Sequence, residues 1–268
     1  MAKKNITIDI AGLRIAIVCD QKILFQVLSH RYRGFVTSFQ YQFIISVHWQ
    51  NTGEEITFTP PTVSFLDNSI QLTGRGFAGN FDLINSQGKI MITMASPVEA
   101  IDYFLRITTS LLIFKNRGIM IHGAGILHQG RGYLFFGSSG SGKTTISKLS
   151  VDDDVLNDDL IVLLPSENGW IMCSTPFWNP TQIEPKMGAV LLSGIYRLVK
   201  SKSVFIRPFT SGQALAEVLA NIPVIATDST RSQILIERCM QLLKTTPAYQ
   251  LHFTPDNSFW QTIHDYQG

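Results

Sequence analysis

Eight residues between two apolar runs constrain this chain more than any others: Gly137-Ser138-Ser139-Gly140-Ser141-Gly142-Lys143-Thr144. They satisfy the pattern G-x-x-x-x-G-K-[ST] at every fixed position. A short strand is predicted before them, over Tyr133–Phe136, and a helix after them, from Thr145 to Leu149, which is the context such a loop needs. Glycines let the backbone close around a phosphate with its N–H groups, where side chains would obstruct the approach. The following helix turns its positive N-terminus toward the same anion. The expected phosphate cradle is therefore Gly137, Ser138, Ser139, Gly140, Ser141, Gly142, Lys143, Thr144 and Thr145. Lys143 is placed to reach the β- and γ-phosphates of ATP or another nucleoside triphosphate, and the Thr144 hydroxyl to help hold Mg²⁺. The plain alternative is a flexible Gly/Ser turn that matches by chance, and the strand and helix around it argue against that.

Composition narrows the classes further. With 22 Lys and Arg against 20 Asp and Glu, the net charge is +2, so there is no electrostatic footprint for nucleic acid. Charged residues are only 16% of the chain, below the roughly 25% of ordinary globular domains, and 45% are hydrophobic, enough to build a large core. No apolar run reaches the roughly 18 residues of a membrane span. The best stretch, Leu111 to Leu127, is broken by Lys115, Arg117 and His122. Lys3 and Lys4 are followed by Asp9 before any signal core forms. Cys19, Cys173 and Cys239 are odd in number and far apart, which fits neither a disulfide framework nor a zinc site. A cytoplasmic protein without membrane or nucleic-acid partners is the expectation.

The texture changes near residue 96. Before it, Ile6, Ile8 and Ile10 alternate with polar residues, as do Phe43, Ile45, Val47 and Trp49. Turns are signalled at Asn51-Thr52-Gly53, Asp67-Asn68 and Asn85–Gly88. Residues 1–95 thus read as a mostly antiparallel β-rich domain with a short helix near Ile23–Leu28, a plausible docking surface for a substrate. Residues 96–268 read as a catalytic domain. Its first helix starts with Ser96 as N-cap, Pro97 at the first helical position and Glu99 completing a capping box. It ends at Lys115 and Arg117, with Gly118 as the C-cap. Strands are predicted over Ile119–Leu127, Ala189–Val199 and Tyr249–Phe253, and a hairpin over Asp159–Leu164 and Gly169–Cys173. Helices are predicted over Gly212–Ala220 and Thr230–Leu243, and a last one carries Phe259, Trp260 and Ile263. The fold class is α/β (α+β).

Five carboxylates fall in eight positions just after the loop: Asp152, Asp153, Asp154, Asp158 and Asp159. The first three suit a solvated turn between helix and strand. Asp158 and Asp159 interrupt the apolar run Val155–Val162, where two acids cost desolvation unless a cation or a proton-transfer role compensates. One would hold Mg²⁺ and the other would take a proton from an acceptor hydroxyl, with a strand-end turn as the alternative. His122, on a strand expected to pair with the one that delivers the loop, stands near the transferred phosphate or is an ordinary satisfied polar residue. His30, His48, His128, His252 and His264 show no metal-ligand spacing.

Taken in order, His122-Gly123, Gly130-x-Gly132, the loop Gly137–Thr144 and Asp158-Asp159 resemble the HPr kinase/phosphorylase family. The chain looks closer still to HPr-kinase-related proteins of ribosomally made peptide pathways, including lasso-peptide precursor kinases. The closing Pro247-x-Tyr249-x-Leu251-x-Phe253-x-Pro255-Asp256-x-x-Phe259-Trp260 looks like that subgroup. The resemblance is specific over residues 119–162, looser beyond them and weakest over the first 95. It implies a nucleotide-binding core of the HPr kinase and phosphoenolpyruvate-carboxykinase-like type, and an ATP- and Mg²⁺-dependent serine kinase. On that basis Lys143 binds phosphate, Thr144 and Asp159 serve the metal, Asp158 activates the acceptor hydroxyl and His122 belongs to the active site. Glu184 corresponds to a metal-binding glutamate of the family, although the glycine pattern around it departs from the bifunctional enzymes. Kinase activity without phosphorylase activity is the expectation. The partner implied is a peptide or protein with an acceptor serine, and family enzymes suggest a homo-oligomer. Arg207 and Arg231 are candidate phosphate clamps.

Competing classes lack their marks. There is no Asn-Lys-x-Asp segment to read guanine and no Leu-Ser-Gly-Gly-Gln segment of a transport ATPase. A small-molecule kinase and a non-catalytic nucleotide-binding scaffold for peptide modification stay open, because the loop does not encode an acceptor.

Overall fold

The computed structural model describes residues 4–66, 68–150, 152–179, 182–223 and 231–267. The chain divides into two compact units, Met1–Leu112 and Ile113–Gly268. The first contains β1 (Lys4–Ile10), β2 (Leu13–Cys19), α1 (Lys22–Arg31), β3 (Phe43–Trp49), β4 (Thr62–Leu66), β5 (Ser69–Gly74), β6 (Phe77–Asp82) and β7 (Gln87–Ile92), and most of α2 (Val98–Lys115). Its seven strands form one sheet in the order β1-β2-β3-β7-β6-β5-β4. Antiparallel pairs join β1 to β2 and run through β7, β6, β5 and β4. The β2–β3 and β3–β7 pairs are parallel. The first of these follows from α1, a crossover that returns the chain to the same end of the sheet. The predicted alternation holds: Ile6, Ile8 and Ile10 of β1 and Ile45 and Val47 of β3 are buried.

Helix α2 closes the buried face of this sheet. A Cβ on Gly79 of β6 would lie 2.7 Å from the Phe104 ring, so glycine is what lets helix and strand approach this closely. Asp102 accepts Arg31 Nη2 at 2.6 Å and the buried Tyr32 hydroxyl. These ties group the helix with the first unit, and the division falls inside α2 rather than at the expected 95/96.

The helix ends differ in detail from expectation. Ile101 N donates to Pro97 O at 3.1 Å, so Pro97 stands just before Val98, the first helical residue. At the other end the left-handed residue is Arg117, with φ 65°, and Gly118 N donates to Ile113 O at 2.8 Å. Gly118 is needed for another reason: a Cβ there would meet Ile113 Cγ2 and Leu164 Cδ2 at 2.7 Å and Leu163 O at 2.9 Å.

The second unit contains β8 (Ile119–His128), β9 (Arg131–Phe136), α3 (Lys143–Leu149), β10 (Asp154–Asn157), β11 (Leu160–Ser166), β12 (Gly169–Cys173), β13 (Ala189–Lys200), β14 (Phe205–Pro208), α4 (Ser211–Ala220), α5 (Ser232–Thr245), β15 (Ala248–Phe253) and α6 (Ser258–Gln267). Thr230, expected at the start of α5, lies outside the described residues, and the short strands β10 and β14 are new. The first half of β8 pairs with β11, and its second half pairs with β9 and β10. Strand β13 likewise pairs with β12 at its start and with β9 and β15 further on. The pairs β8–β9–β13–β12–β11–β8 therefore close a ring. Small residues permit it: a Cβ on Gly125 would meet Ile161 Cδ1 at 2.5 Å, and one on Gly132 would meet Val190 Cγ1 at 2.8 Å. Outside the ring, Ile146 of α3 and Phe259, Trp260 and Ile263 of α6 share one core with Phe135, Tyr196, Leu251 and Phe253. The predicted C-terminal helix thus packs beside the loop–helix segment. No helix among the described residues is long and apolar enough to cross a membrane.

Candidate functional site

The chain leaves β9 at Phe136 and enters α3 at Lys143, so the loop sits between a buried strand and a helix as predicted. Gly137, Gly140 and Gly142 have φ of 148°, 76° and 112°, a region that side-chain-bearing residues rarely adopt. At Gly142 the requirement is double, because a Cβ would lie 2.5 Å from the Phe253 ring. Ser141 N donates to Ser138 O at 3.0 Å and closes the turn. Lys143 Nζ folds back onto the loop, donating to Gly137 O at 2.8 Å and Ser138 O at 3.4 Å. Burial pushes the Lys143 ammonium pKa down, and the nearby Asp159 and Asp158 charges oppose that shift.

Asp158 and Asp159 form the turn between β10 and β11. Asn157 sets this turn. Its Oδ1 accepts Asp159 N at 2.6 Å and Leu160 N at 3.0 Å, and its Nδ2 donates to Thr175 O at 2.9 Å and Phe177 O at 2.8 Å. Thr175 Oγ1 donates to Leu160 O at 2.7 Å from the other side. Asp158 is 1% exposed, and neither carboxylate oxygen has a hydrogen bond of ordinary geometry. Burial raises its pKa to about 6, with the neighbouring Thr144 hydroxyl pulling the other way and the Asp159 charge adding to the rise. That is the setting of a proton acceptor that works near neutral pH.

His122 comes from β8, where it faces Leu160 in the β8–β11 register. Its Nε2 lies 2.8 Å from Asp159 Oδ1, and its amide donates to Asn221 O, just beyond α4. A cavity of about 340 Å³ brings these parts together: Ser139, Gly140, Gly142, Lys143, Thr144 and Thr145 from the loop and α3, with His122 and Asp158. Gly137, Ser138 and Ser141 shape the loop without lining the cavity. Asp159 adjoins it through His122.

Two lining residues carry no sequence signal, Gln182 and Lys200. They arrive from the β12–β13 segment and the end of β13, far from the motif in sequence. Glu184 is exposed in that same segment and does not line the cavity, and neither do Arg207 and Arg231. Arg207 lies instead over the Phe205 ring at 5.0 Å. Of the acids assigned to a solvated turn, Asp152 is exposed, but Asp153 Oδ1 lies 2.8 Å from His128 Nδ1 and is mostly buried. Asp154 pairs with Lys186. A larger groove of about 930 Å³, between α4 and α5, contains none of the predicted residues.

Among the described residues no three His, Cys, Asp or Glu side chains are grouped to hold a metal ion by themselves. The donors beside the loop are the Thr144 hydroxyl and the Asp158 and Asp159 carboxylates. They are hard oxygens, and two of them, both on Asp158, are buried without a hydrogen bond of ordinary geometry. This donor set fits Mg²⁺, which keeps water ligands and shares substrate phosphates rather than needing an all-protein cage.

No protein-family profile matches the chain, and no curated protein matches it in sequence. Among solved structures it is similar to the Hpr(Ser) kinase/phosphatase from Coxiella burnetii, with 10% identity, a TM-score of 0.34, and coverage of 55% of this chain and 95% of that one. The chain is a mixed α/β protein whose glycine loop, lysine and buried carboxylate meet in one cavity.

Proposed function

We propose that the chain is a kinase that transfers a phosphoryl group from ATP, with Mg²⁺, to a serine hydroxyl of a peptide or protein, without the reverse phosphorylase activity. The observation that carries the transfer is Asp158: a buried carboxylate beside the Thr144 hydroxyl, with its pKa raised to about 6, in the same cavity as Lys143 and Thr144. The serine acceptor, and a precursor peptide as its source, rest on the motif resemblance to HPr kinases and their peptide-pathway relatives.

The loop amides and Lys143 would bind and orient the nucleotide phosphates. Lys143 would exchange its bonds to Gly137 O and Ser138 O for phosphate oxygens. Thr144 and Asp159 would hold Mg²⁺, which when bound neutralises charge on the phosphates. Asp158 would accept the proton of the serine hydroxyl as the Oγ–P bond forms and the bond to the leaving diphosphate breaks. His122, oriented by Asp159, would face the reacting phosphoryl group. Phosphoryl transfer asks for little covalent chemistry from the protein, so positioning by these fixed groups is most of the catalysis.

The test is incubation with Mg-ATP and peptides encoded beside the gene, read by intact mass. A phosphate added to a peptide serine supports the reading. Nucleotide binding without any transfer would favour the scaffold alternative, and a labelled metabolite would favour a small-molecule kinase.

A further inference from the structure

We propose that Lys200 is a second phosphate-binding cation of the cavity, acting beside Lys143. The inference rests on the proposed nucleotide binding and names a contact that the loop motif does not include. Lys200 is the last residue of β13, and its backbone is held from two directions. It pairs with Phe253 in the parallel β13–β15 register, and Ser201 N donates to Phe253 O at 3.0 Å. The same Phe253 ring sits where a Cβ of Gly142 would project. The strand end that carries Lys200 and the loop that carries Lys143 therefore rest on one side chain. Further back on β13, Arg197 is in register with Phe136, the residue before the loop. The lysine is thus fixed at its root, and it is one of the residues that line the cavity.

Its charge is uncommitted. Two other cations of this unit have carboxylates: Arg197 lies 2.9 Å from Glu217, and Lys186 pairs with Asp154. No carboxylate among the described residues pairs with Lys200. Lys143, by contrast, already feels both Asp158 and Asp159. One lysine facing two carboxylates leaves this corner negative, an unfavourable place for a polyphosphate even with one Mg²⁺. Lys200 restores the balance, and a compact ammonium on a long stem suits a phosphate as a point charge. An exposed lysine in convex surroundings would be merely solvated. This one lines a concavity that it shares with the phosphate loop, His122, Asp158 and Gln182.

The experiment compares wild type, Lys200→Ala, Lys200→Met, Lys200→Arg and Lys143→Ala, measuring affinity for Mg-ATP and for inorganic tripolyphosphate by calorimetry. Lys200→Ala and Lys200→Met should weaken both ligands by roughly tenfold or more, the scale of one charge-assisted contact. Lys200→Arg should recover most of the affinity. The ligand-free thermal midpoint should not move, since Lys200 is exposed. If Lys143→Ala loses tripolyphosphate while Lys200→Ala and Lys200→Met bind it as wild type does, the proposal is wrong and the loop reading survives. A loss seen with Mg-ATP but not with tripolyphosphate would put Lys200 on the base or sugar, and also overturns it. If the wild-type chain binds neither ligand, the nucleotide reading falls and this one with it.

Discussion

His122 Nε2 lies 2.8 Å from Asp159 Oδ1, and the backbones on either side are bonded as well, Gly123 N donating to Asp159 O at 3.0 Å. The pair joins β8 to the β10–β11 turn at the wall of the phosphate-loop cavity. The His122 side chain is 43% exposed while Asp159 is 12% exposed, so the imidazole is held at one edge and open at another. A ring held this way can present a fixed edge to a ligand. A carboxylate bonded to it has that much less freedom to turn elsewhere.

If the two act as a unit, their substitutions will not multiply. His122→Ala is expected to slow phosphoryl transfer by about tenfold to a hundredfold while nucleotide affinity stays within a few-fold. Asp159→Asn should slow it too. The double variant should be close to the worse single one, as coupled groups behave in a mutant cycle. Transfer rates on the acceptor peptide at saturating Mg-ATP check this, and fully multiplicative losses would show that the contact is incidental.

Asp158 yields a prediction in which stability and activity move oppositely. Its folded pKa, about 6, lies above the 3.8 of an unperturbed aspartate. Between those values the native state binds more protons than the unfolded chain, so stability falls as pH rises through that window. Once ionised, the buried carboxylate costs up to about 3 kcal/mol, an order-of-magnitude figure from the size of the shift. Asp158→Asn should therefore raise the thermal midpoint at pH 7 to 8, flatten the stability profile between about pH 4 and 6, and abolish transfer. Wild-type transfer should decline as pH drops through about 6, because the base becomes protonated. Denaturant melts across pH, alongside the rate profile, test both halves.

What the sequence reveals about this site is its local part. The loop pattern is contiguous, and Asp158-Asp159 stands out because acids in an apolar run demand a reason. His122 could be placed because its strand had to pair near the loop. The structure brings His122, Asp158 and most of the loop to one cavity, with Asp159 adjoining it through His122. A lone asparagine before two aspartates looks like turn composition, and the role of Asn157 shows only once Thr175 and Phe177 fold over it. Gln182 and Lys200 enter through β-pairing between residues far apart in the chain, which no periodicity encodes. The ring of strands was hidden for the same reason: β8 and β13 each change partners midway, while their apolar patterns run on unbroken. Gly118 has the look of a helix cap in the sequence, whereas the packing of Ile113 and Leu164 is what excludes a side chain there.

Asn157 should prove a structural anchor for the acidic turn. Asn157→Ala removes two acceptor bonds to the Asp159 and Leu160 amides and two donor bonds to carbonyls, all buried. A loss of about 3 kcal/mol or more is expected in urea unfolding. Asn157→Asp, although the same size, should be no better, because it turns a carboxylate oxygen toward Thr175 O and Phe177 O. A variant that keeps wild-type stability would mean that the turn holds its shape without this side chain.

Gly142 and Phe253 allow steric and conformational demands on the loop to be separated. Gly142→Ala incurs two penalties: a left-handed φ of 112°, of order 1–3 kcal/mol for a residue with a side chain, and a Cβ 2.5 Å from the Phe253 ring. Mg-ATP affinity should fall by well over tenfold, with a lower thermal midpoint. Phe253→Leu alone trims a buried ring that is 3% exposed, and should cost about 1–2 kcal/mol of stability with a smaller effect on binding. In the double variant the clash is relieved and the backbone strain remains, so affinity should recover only in part. Calorimetric titration of the four proteins decides it. Full recovery would show that the ring alone demands glycine, and no recovery would show that the φ value alone does.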